Sequence, residues 1–226
     1  MKAILFDLDG TLVNTDVHHF VLWQAVLQEL GITIDRAFYD ERISGRQNEL
    51  IVRDVFANLP FEEGMKIAAL KEKRFREGNV AMERLGGLDR LLSWIRDRSL
   101  ITAVVTNAPR ENADFMLSAL NLTDVFETSI AIEDVPQGKP DPAPYQLALQ
   151  QLSLSPEDAI VFEDTVSGTL SAVGAGLVTI GMETTHDPQK LLEAGAAFTI
   201  SDFTDAKLWD WLDRSAEIIA STTPVF

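Results

Sequence analysis

The stretch "ILFDLDGTLVNTD", residues 4–16, decides how this chain is read. An apolar run carries two aspartates, Asp7 and Asp9, two positions apart, and a Gly-Thr turn then ends it. Carboxylates are costly to bury. Side chains alternate along a strand, so Asp7 and Asp9 share one direction while Phe6 and Leu8 pack the other way. Ligands of open α/β sheets sit beyond the carboxyl ends of the strands. The pair is therefore expected to face a crevice, where two close like charges call for a counter-charge or a shared proton. A hard cation such as Mg²⁺ would meet that need if further oxygen ligands arrive from elsewhere.

A second buried run, "AIVFEDTVSG" (159–168), ends in Glu163 and Asp164 and supplies those oxygens. Each acidic group could instead cap the helix that follows it; two such strand ends in one chain are hard to explain as capping alone. The other runs add complementary groups. Residues 102–107 end in Thr106 and Asn107, a hydroxyl and an amide suited to phosphoryl oxygens. After the run 129–132 comes "PQGKPDP" (136–142), which fixes Lys139 between a glycine and a proline as a candidate partner for phosphate or carboxylate.

Composition narrows the classes of function. The 226 residues include no cysteine, which excludes disulfides, thiolate-bound zinc and a cysteine nucleophile and fits a reducing cytoplasm. Nineteen basic against thirty-five acidic residues give a formal charge of −16, which argues against nucleic acid and anionic membrane as partners. No run approaches the roughly 20 apolar residues of a membrane span, and Asp7 and Asp9 interrupt the N-terminal run too early for a signal peptide. The chain is expected to be cytoplasmic and monomeric. It lacks a phosphate-binding G-x-x-x-x-G-K-[ST] loop and a G-x-S-x-G elbow. Three histidines do not make a histidine-rich zinc site.

Strands are expected at 3–9, 102–107, 129–132, 159–164 and 178–182, separated by helical patterns, which is the signature of a doubly wound parallel sheet. Asp141 and Pro142 fit the start of one such helix, and Trp209 and Trp211 are expected to pack the C-terminal helix. More than ninety residues separate the first two strands. They read as helices over 14–30 (Val17, Phe20, Val21, Leu27 and Leu30 on one face), 43–59 and 62–76. The expected organisation is a discontinuous α/β core, 1–13 and 83–226, with a helical cap inserted at 14–82 and hinges near 13–15 and 82–87. The tail 221–226 is expected to fray.

Together, "DLDGT" (7–11), Thr106 with Asn107, Lys139 in "GKPDP" (138–142) and "FEDTVSG" (162–168) resemble the four motifs of the haloacid dehalogenase superfamily, in order and spacing. The resemblance covers nearly the whole chain and implies a Rossmann-like core. The insert resembles the cap of the subfamily containing β-phosphoglucomutase and small sugar phosphatases. "VVTNAPRENADFML" (104–117) and "DAKLWDWL" (205–212) are similar to plant-type broad-range sugar-phosphate phosphatases.

The resemblance implies Asp7 as nucleophile, Asp9 as general acid and base, Thr106 and Lys139 as phosphoryl ligands, and Mg²⁺ held by Asp7, the Asp9 carbonyl and Asp164, with Glu163 behind or acting through water. It implies Thr15 beside Asp9 and His19 one turn on. Gly45 and Arg46 of "RISGRQNELI" (42–51) would meet the substrate, with Ser44 where mutases tend to carry a lysine. Either Lys71 or Lys73 of "KEKRF" would align with a substrate lysine. None of the cap lysines 66, 71 and 73 stands in a sequence setting that would depress its pKa, which weighs against Schiff-base phosphonate chemistry. The expected activity is hydrolysis of small sugar phosphates. Mutase-type transfer, phosphoglycolate hydrolysis and a non-catalytic binding role are the alternatives.

Overall fold

The structure, a computed structural model, describes residues 1–78 and 81–222. Six parallel strands form one sheet in the order β3-β2-β1-β4-β5-β6: β1 Ala3–Phe6, β2 Ile101–Val105, β3 Thr128–Ile130, β4 Ala159–Glu163, β5 Val178–Met182 and β6 Phe198–Ile200. The central strand β1 aligns Phe6 with Val104 on one side and with Phe162 on the other. The chain turns outward in both directions from here, so the carboxyl ends of β1, β2 and β4 open on one crevice.

Alternation along the strands builds a core on each face. Ile4, Phe6, Val104, Ile160 and Phe162 pack beneath α5 (Leu88–Asp97), α6 (Arg110–Ala119) and α10 (Ala206–Thr222). Leu5, Ala103, Val105 and Val161 face α7 (Ala143–Leu152) and α8 (Val166–Gly174). The Phe6 and Phe162 rings stack at 5.5 Å, and Phe203 meets Phe162 edge-on at 5.1 Å. Burial of each ring is worth about 1.5–3 kcal/mol, which fixes the strand ends that carry the polar groups.

Between β1 and β2 lie α1 (Asp16–Glu29), α2 (Arg36–Arg42), α3 (Asn48–Val55) and α4 (Phe61–Glu77). They have an apolar cluster of their own, with Trp23, Leu27, Tyr39, Ile51, Val52 and Phe56 buried together. Gly64 lets α4 close on α3: a Cβ there would stand 2.4 Å from Val52 Cγ1.

Several expectations are corrected. The first strand ends at Phe6, not at residue 9; the chain bends through Gly10, at φ +80°, so Asp9 sits in a turn. The helix expected at 43–59 is interrupted at Gly45, φ +67°, and only Asn48–Val55 remains helical. On α1 the buried face is Trp23, Val26 and Leu27, whereas Val17, Val21 and Leu30 are exposed. Of the residues expected on one face, Leu27 is buried and Phe20 packs on the same cluster, while Trp23 and Val26 take the places expected of Val17, Val21 and Leu30. Pro142 precedes α7, whose first amide at Ala143 donates to Asp141 Oδ1 at 2.9 Å. Trp209 and Trp211 lie on α10, whose backbone runs to Thr222; the rest of the expected frayed tail, 223–226, lies outside the described residues. Among the described residues no helix is long and apolar enough to cross a membrane.

Candidate active site

The β1–β4 register brings Asp7 beside Glu163: Asp7 N donates to Phe162 O at 3.0 Å, and each acidic residue follows its buried phenylalanine. Lys139 crosses beneath both. Its Nζ donates to Asp7 Oδ1 at 2.6 Å, Val105 O at 2.7 Å and Glu163 Oε1 at 2.5 Å. Burial works against the charge on this lysine, but Asp7 and Glu163 outweigh it and raise its pKa above the usual lysine value. The lysine is held from behind by Asn107, whose Oδ1 accepts from Lys139 N at 2.9 Å and whose Nδ2 donates to Lys139 O at 3.1 Å. Asn107 lines the cleft but commits both ends of its amide to Lys139.

Glu163 is fully buried. Its Oε1 accepts from Lys139 and from Tyr145 Oη at 2.9 Å; its Oε2 accepts from Asp164 N, Thr165 N and Thr165 Oγ1 at 3.1, 3.3 and 3.2 Å. Gly168 makes room, since a Cβ there would fall 1.9 Å from Glu163 Oε1. The N-cap of α8 is Thr165, which accepts from Gly168 N, so Asp164 is not the cap. Nor does Asp7 cap a helix, for α1 begins only at Asp16. The capping explanation for the two acidic strand ends thereby lapses.

Asp7, Glu163 and Asp164 can place one oxygen each within 4.8 Å of one another. Burial, before any other cause, pushes the Asp7 and Asp164 carboxyls well above the usual carboxylate range; Lys139 opposes this, most of all at Asp7, while Glu163 adds to both, Asp9 to Asp7 and Asp7 to Asp164. Asp164 Oδ1 is buried without a hydrogen-bond partner. A crowded acidic trio with an unpartnered inward oxygen fits a hard divalent cation, which takes carboxylate and carbonyl oxygens. Gly10 permits the approach, because a Cβ there would lie 1.9 Å from Asp164 Oδ2. Thr106 is buried at the end of β2, and its Oγ1 accepts from Ala108 N at 3.0 Å.

Asp9 lies on the side facing the helices. Its Oδ1 accepts a hydrogen bond from Thr15 Oγ1, and His19 Nε2 approaches the same oxygen at 3.4 Å. Burial alone would raise this carboxyl; His19 and Thr15 together hold it below the usual range. Stacking on Phe75, at 4.4 Å between centroids, fixes the His19 ring. The loop carrying Gly45 is tied to the sheet side: Ser167 Oγ donates to Gly45 O at 3.1 Å and Gln47 Nε2 to Lys139 O at 3.0 Å.

Between the strand ends and the helices lies a cleft of about 130 Å³, a space suited to a small molecule. Asp7, Asp9, Thr15, His19, Gly45, Arg46, Thr106, Asn107, Lys139 and Asp164 line it; Glu163 lies beneath. Arg46 is on the lining but paired, Nη1 donating to Asp54 Oδ2 at 2.7 Å.

Of Lys71 and Lys73, the cleft is lined by Lys71. Lys73 is exposed and paired with Glu77, while Lys71 is 3% exposed, lines the cleft and lies 2.5 Å from His19 Nδ1. The expectation that no lysine of the insert has a depressed pKa is also corrected. Burial against Trp23 and Phe75 lowers Lys71, and Glu72 restores part of the shift. Glu72, Asn48 and Trp23 on the lining went unnoticed in the sequence. The signal was the spacing of Gly64, Ala68, Lys71, Glu72 and Phe75, one buried stripe of α4.

The chain matches the family model described as haloacid dehalogenase-like hydrolase over residues 4–182, and it belongs to that family. It is an enzyme of the family's phosphatase kind. It is 30% identical over 207 residues to validoxylamine A 7'-phosphate phosphatase of Streptomyces hygroscopicus subsp. limoneus, covering 91% of this chain and 96% of that one. It is also 30% identical over 201 residues to the phosphorylated carbohydrates phosphatase of Thermotoga maritima, covering 87% and 92%. Among solved structures, CbbY from Rhodobacter sphaeroides in complex with xylulose-(1,5)bisphosphate superposes with a TM-score of 0.79 at 26% identity, over 91% of this chain and 96% of that one.

Proposed function

We propose that the protein is a Mg²⁺-dependent phosphatase of small sugar phosphates that works through an aspartyl phosphate on Asp7. One observation carries the reading. Asp7 stands at the cleft floor, tethered by Lys139 and flanked by the unpartnered Asp164 oxygen, while Asp9 is held from the opposite wall by Thr15 and His19.

Asp7, Asp164 and the Asp9 backbone carbonyl would hold Mg²⁺. When bound, the ion offsets the carboxylate repulsion and draws charge from the transferring phosphoryl group. Lys139 and the Thr106 hydroxyl take the phosphoryl oxygens, and Lys139 spreads their charge in the transition state. Asp7 attacks phosphorus, the P–O bond to the sugar breaks, and Asp9, which takes up a proton when the phosphate dianion sits beside it, gives that proton to the departing oxygen. Water then attacks the phosphorus of the aspartyl phosphate, Asp9 takes its proton, and inorganic phosphate leaves with Asp7 restored. Glu163 keeps Lys139 charged and in place. Residues 14–82 act as a cap that excludes water, with Gly45 and Gln47 seating it on the core.

Relatives named for phosphorylated carbohydrates support the substrate class. Contact between His19 and Asp9 also gives mutase-type transfer a physical basis, and a β-phosphoglucomutase of Bacillus subtilis is 26% identical over 192 residues. Phosphate release from hexose 6-phosphates, fructose 1-phosphate, ribose 5-phosphate, phosphoglycolate and β-glucose 1-phosphate separates the readings. The expected result is release that needs Mg²⁺ and stops with chelator. Conversion of β-glucose 1-phosphate to glucose 6-phosphate without release would establish the mutase instead.

A further inference from the structure

The cleft treats its two ends differently. At the floor, Asp7, Asp164 and Glu163 outnumber Lys139. At the far end, beyond the His19 ring, Lys71 reaches the lining, and a lone buried ammonium there would be an anion site. It is not alone. Glu72 is 7% exposed, and each of its oxygens accepts from Lys71 Nζ at 3.1 Å. The carboxylate is pinned from two further elements: Asn48 Nδ2 at the start of α3 donates to Oε1 at 2.9 Å, and Asn112 Nδ2 on α6 donates to Oε2 at 2.6 Å. Arg46 is likewise answered by Asp54. Among the described residues, every lysine and arginine lining the cleft has a carboxylate partner. What remains at the far end is uncharged or already paired: Asn48, Ser44, the apolar Ile51 and Trp23, and Asp16, which accepts from Tyr39 Oη at 3.0 Å and Ser44 Oγ at 3.3 Å and pairs with Arg36 at 2.5 Å.

We propose that Glu72 is a specificity-determining residue: by neutralising Lys71 it reserves the far end of the cleft for an uncharged, hydroxyl-bearing group, so that the enzyme takes monophosphates and turns away esters with a second phosphate. This deepens the phosphatase reading and rests on it for the placement of the first phosphate. A second phosphate at the far end would find every cation of the lining already answered by a carboxylate, and Asp16 already paired with Arg36, so its charge would be buried without a counter-charge and its binding weakened several-fold to many-fold. Removing one member of a buried ion pair leaves the other uncompensated. Glu72→Gln therefore makes Lys71 seek an anion.

The test compares fructose 6-phosphate with fructose 1,6-bisphosphate, with Mg²⁺ present. Calorimetric binding is measured on Asp7→Asn, which holds ligand without turnover, and kcat/KM on the active enzyme. The expected result is at least about tenfold preference for the monophosphate, narrowed at least about tenfold by Glu72→Gln and restored by adding Lys71→Met. Equal or tighter bisphosphate binding by the Glu72 protein overturns the proposal, as does an unchanged ratio in a folded Glu72→Gln. If that variant does not fold, the ratio on the Glu72 protein decides alone. Monophosphate preference in binding with no phosphate release in any assay would overturn the phosphatase reading and leave the role of Glu72 standing. Binding of neither ester overturns both.

Discussion

The strand ends and the helical roof meet across one cleft, yet they handle charge in opposite ways. The floor concentrates it: three buried carboxylates share one lysine, and an Asp164 oxygen has no partner. The roof cancels it: Lys71 with Glu72, Arg46 with Asp54, and Arg36 with Asp16 at 2.5 Å. An unbalanced buried cluster is expensive unless a ligand completes it, whereas a balanced one is complete by itself. On the proposed reading the floor is therefore where charged partners would bind and charge would move during reaction, and the roof would recognise shape and hydroxyls.

Substitutions should separate the two regions by size of effect. Asp7→Asn keeps the shape of the floor but removes the attacking oxyanion, and phosphate release should fall on the order of 10³-fold or more. Gly168→Ala comes next: its Cβ would overlap Glu163, so overpacking of about 1–3 kcal/mol should lower the melting temperature, and activity should drop as Lys139 loses its anchor. On the roof side, Gly45→Val would press on Thr165 Cγ2, 2.9 Å from the new Cβ, in a backbone region that disfavours side chains. Turnover and substrate ranking should change about tenfold while Mg²⁺ affinity stays put; equal losses of both would erase the distinction between roof and floor.

Thr15→Val should be the mildest. It removes one hydrogen bond that holds the Asp9 carboxyl down, so the Asp9 pKa should rise. A limb of the kcat/KM profile governed by this carboxyl should therefore move to higher pH, with a change in maximal rate of about tenfold or less. Movement to lower pH would contradict the assigned contact.

The floor was legible in the sequence because each of its residues is tied to a strand. A short apolar run sets the buried strand, the register follows from the shared sheet, and an acid after the last apolar residue must lie at the carboxyl edge. Asp7, Glu163 and Asp164 came from that logic, and Lys139 from its place between a glycine and a proline in the loop that follows β3. Its limits show at Asp9, where Gly10 ends the alternation, and at β6 and α9 (Pro188–Glu193), both too short for a periodic pattern. The roof was read less well because its contacts are tertiary. Lys71 and Glu72 sit in a charge-rich stretch that looks solvent-facing until α1, α3 and α6 close over it. α2 was missed, and the expected face of α1 was only half right, since its apolar residues are spread around the helix: Leu27 is buried but Val17 and Val21 are exposed.

The most direct measurement is acid quenching of the enzyme during turnover of a good monophosphate, followed by mass analysis of the peptide containing Asp7. A phosphoryl group on Asp7, formed with Mg²⁺ and absent from Asp7→Asn, is the predicted result. Steady phosphate release with no phosphoryl group on that peptide, or with one on another residue, would contradict the account.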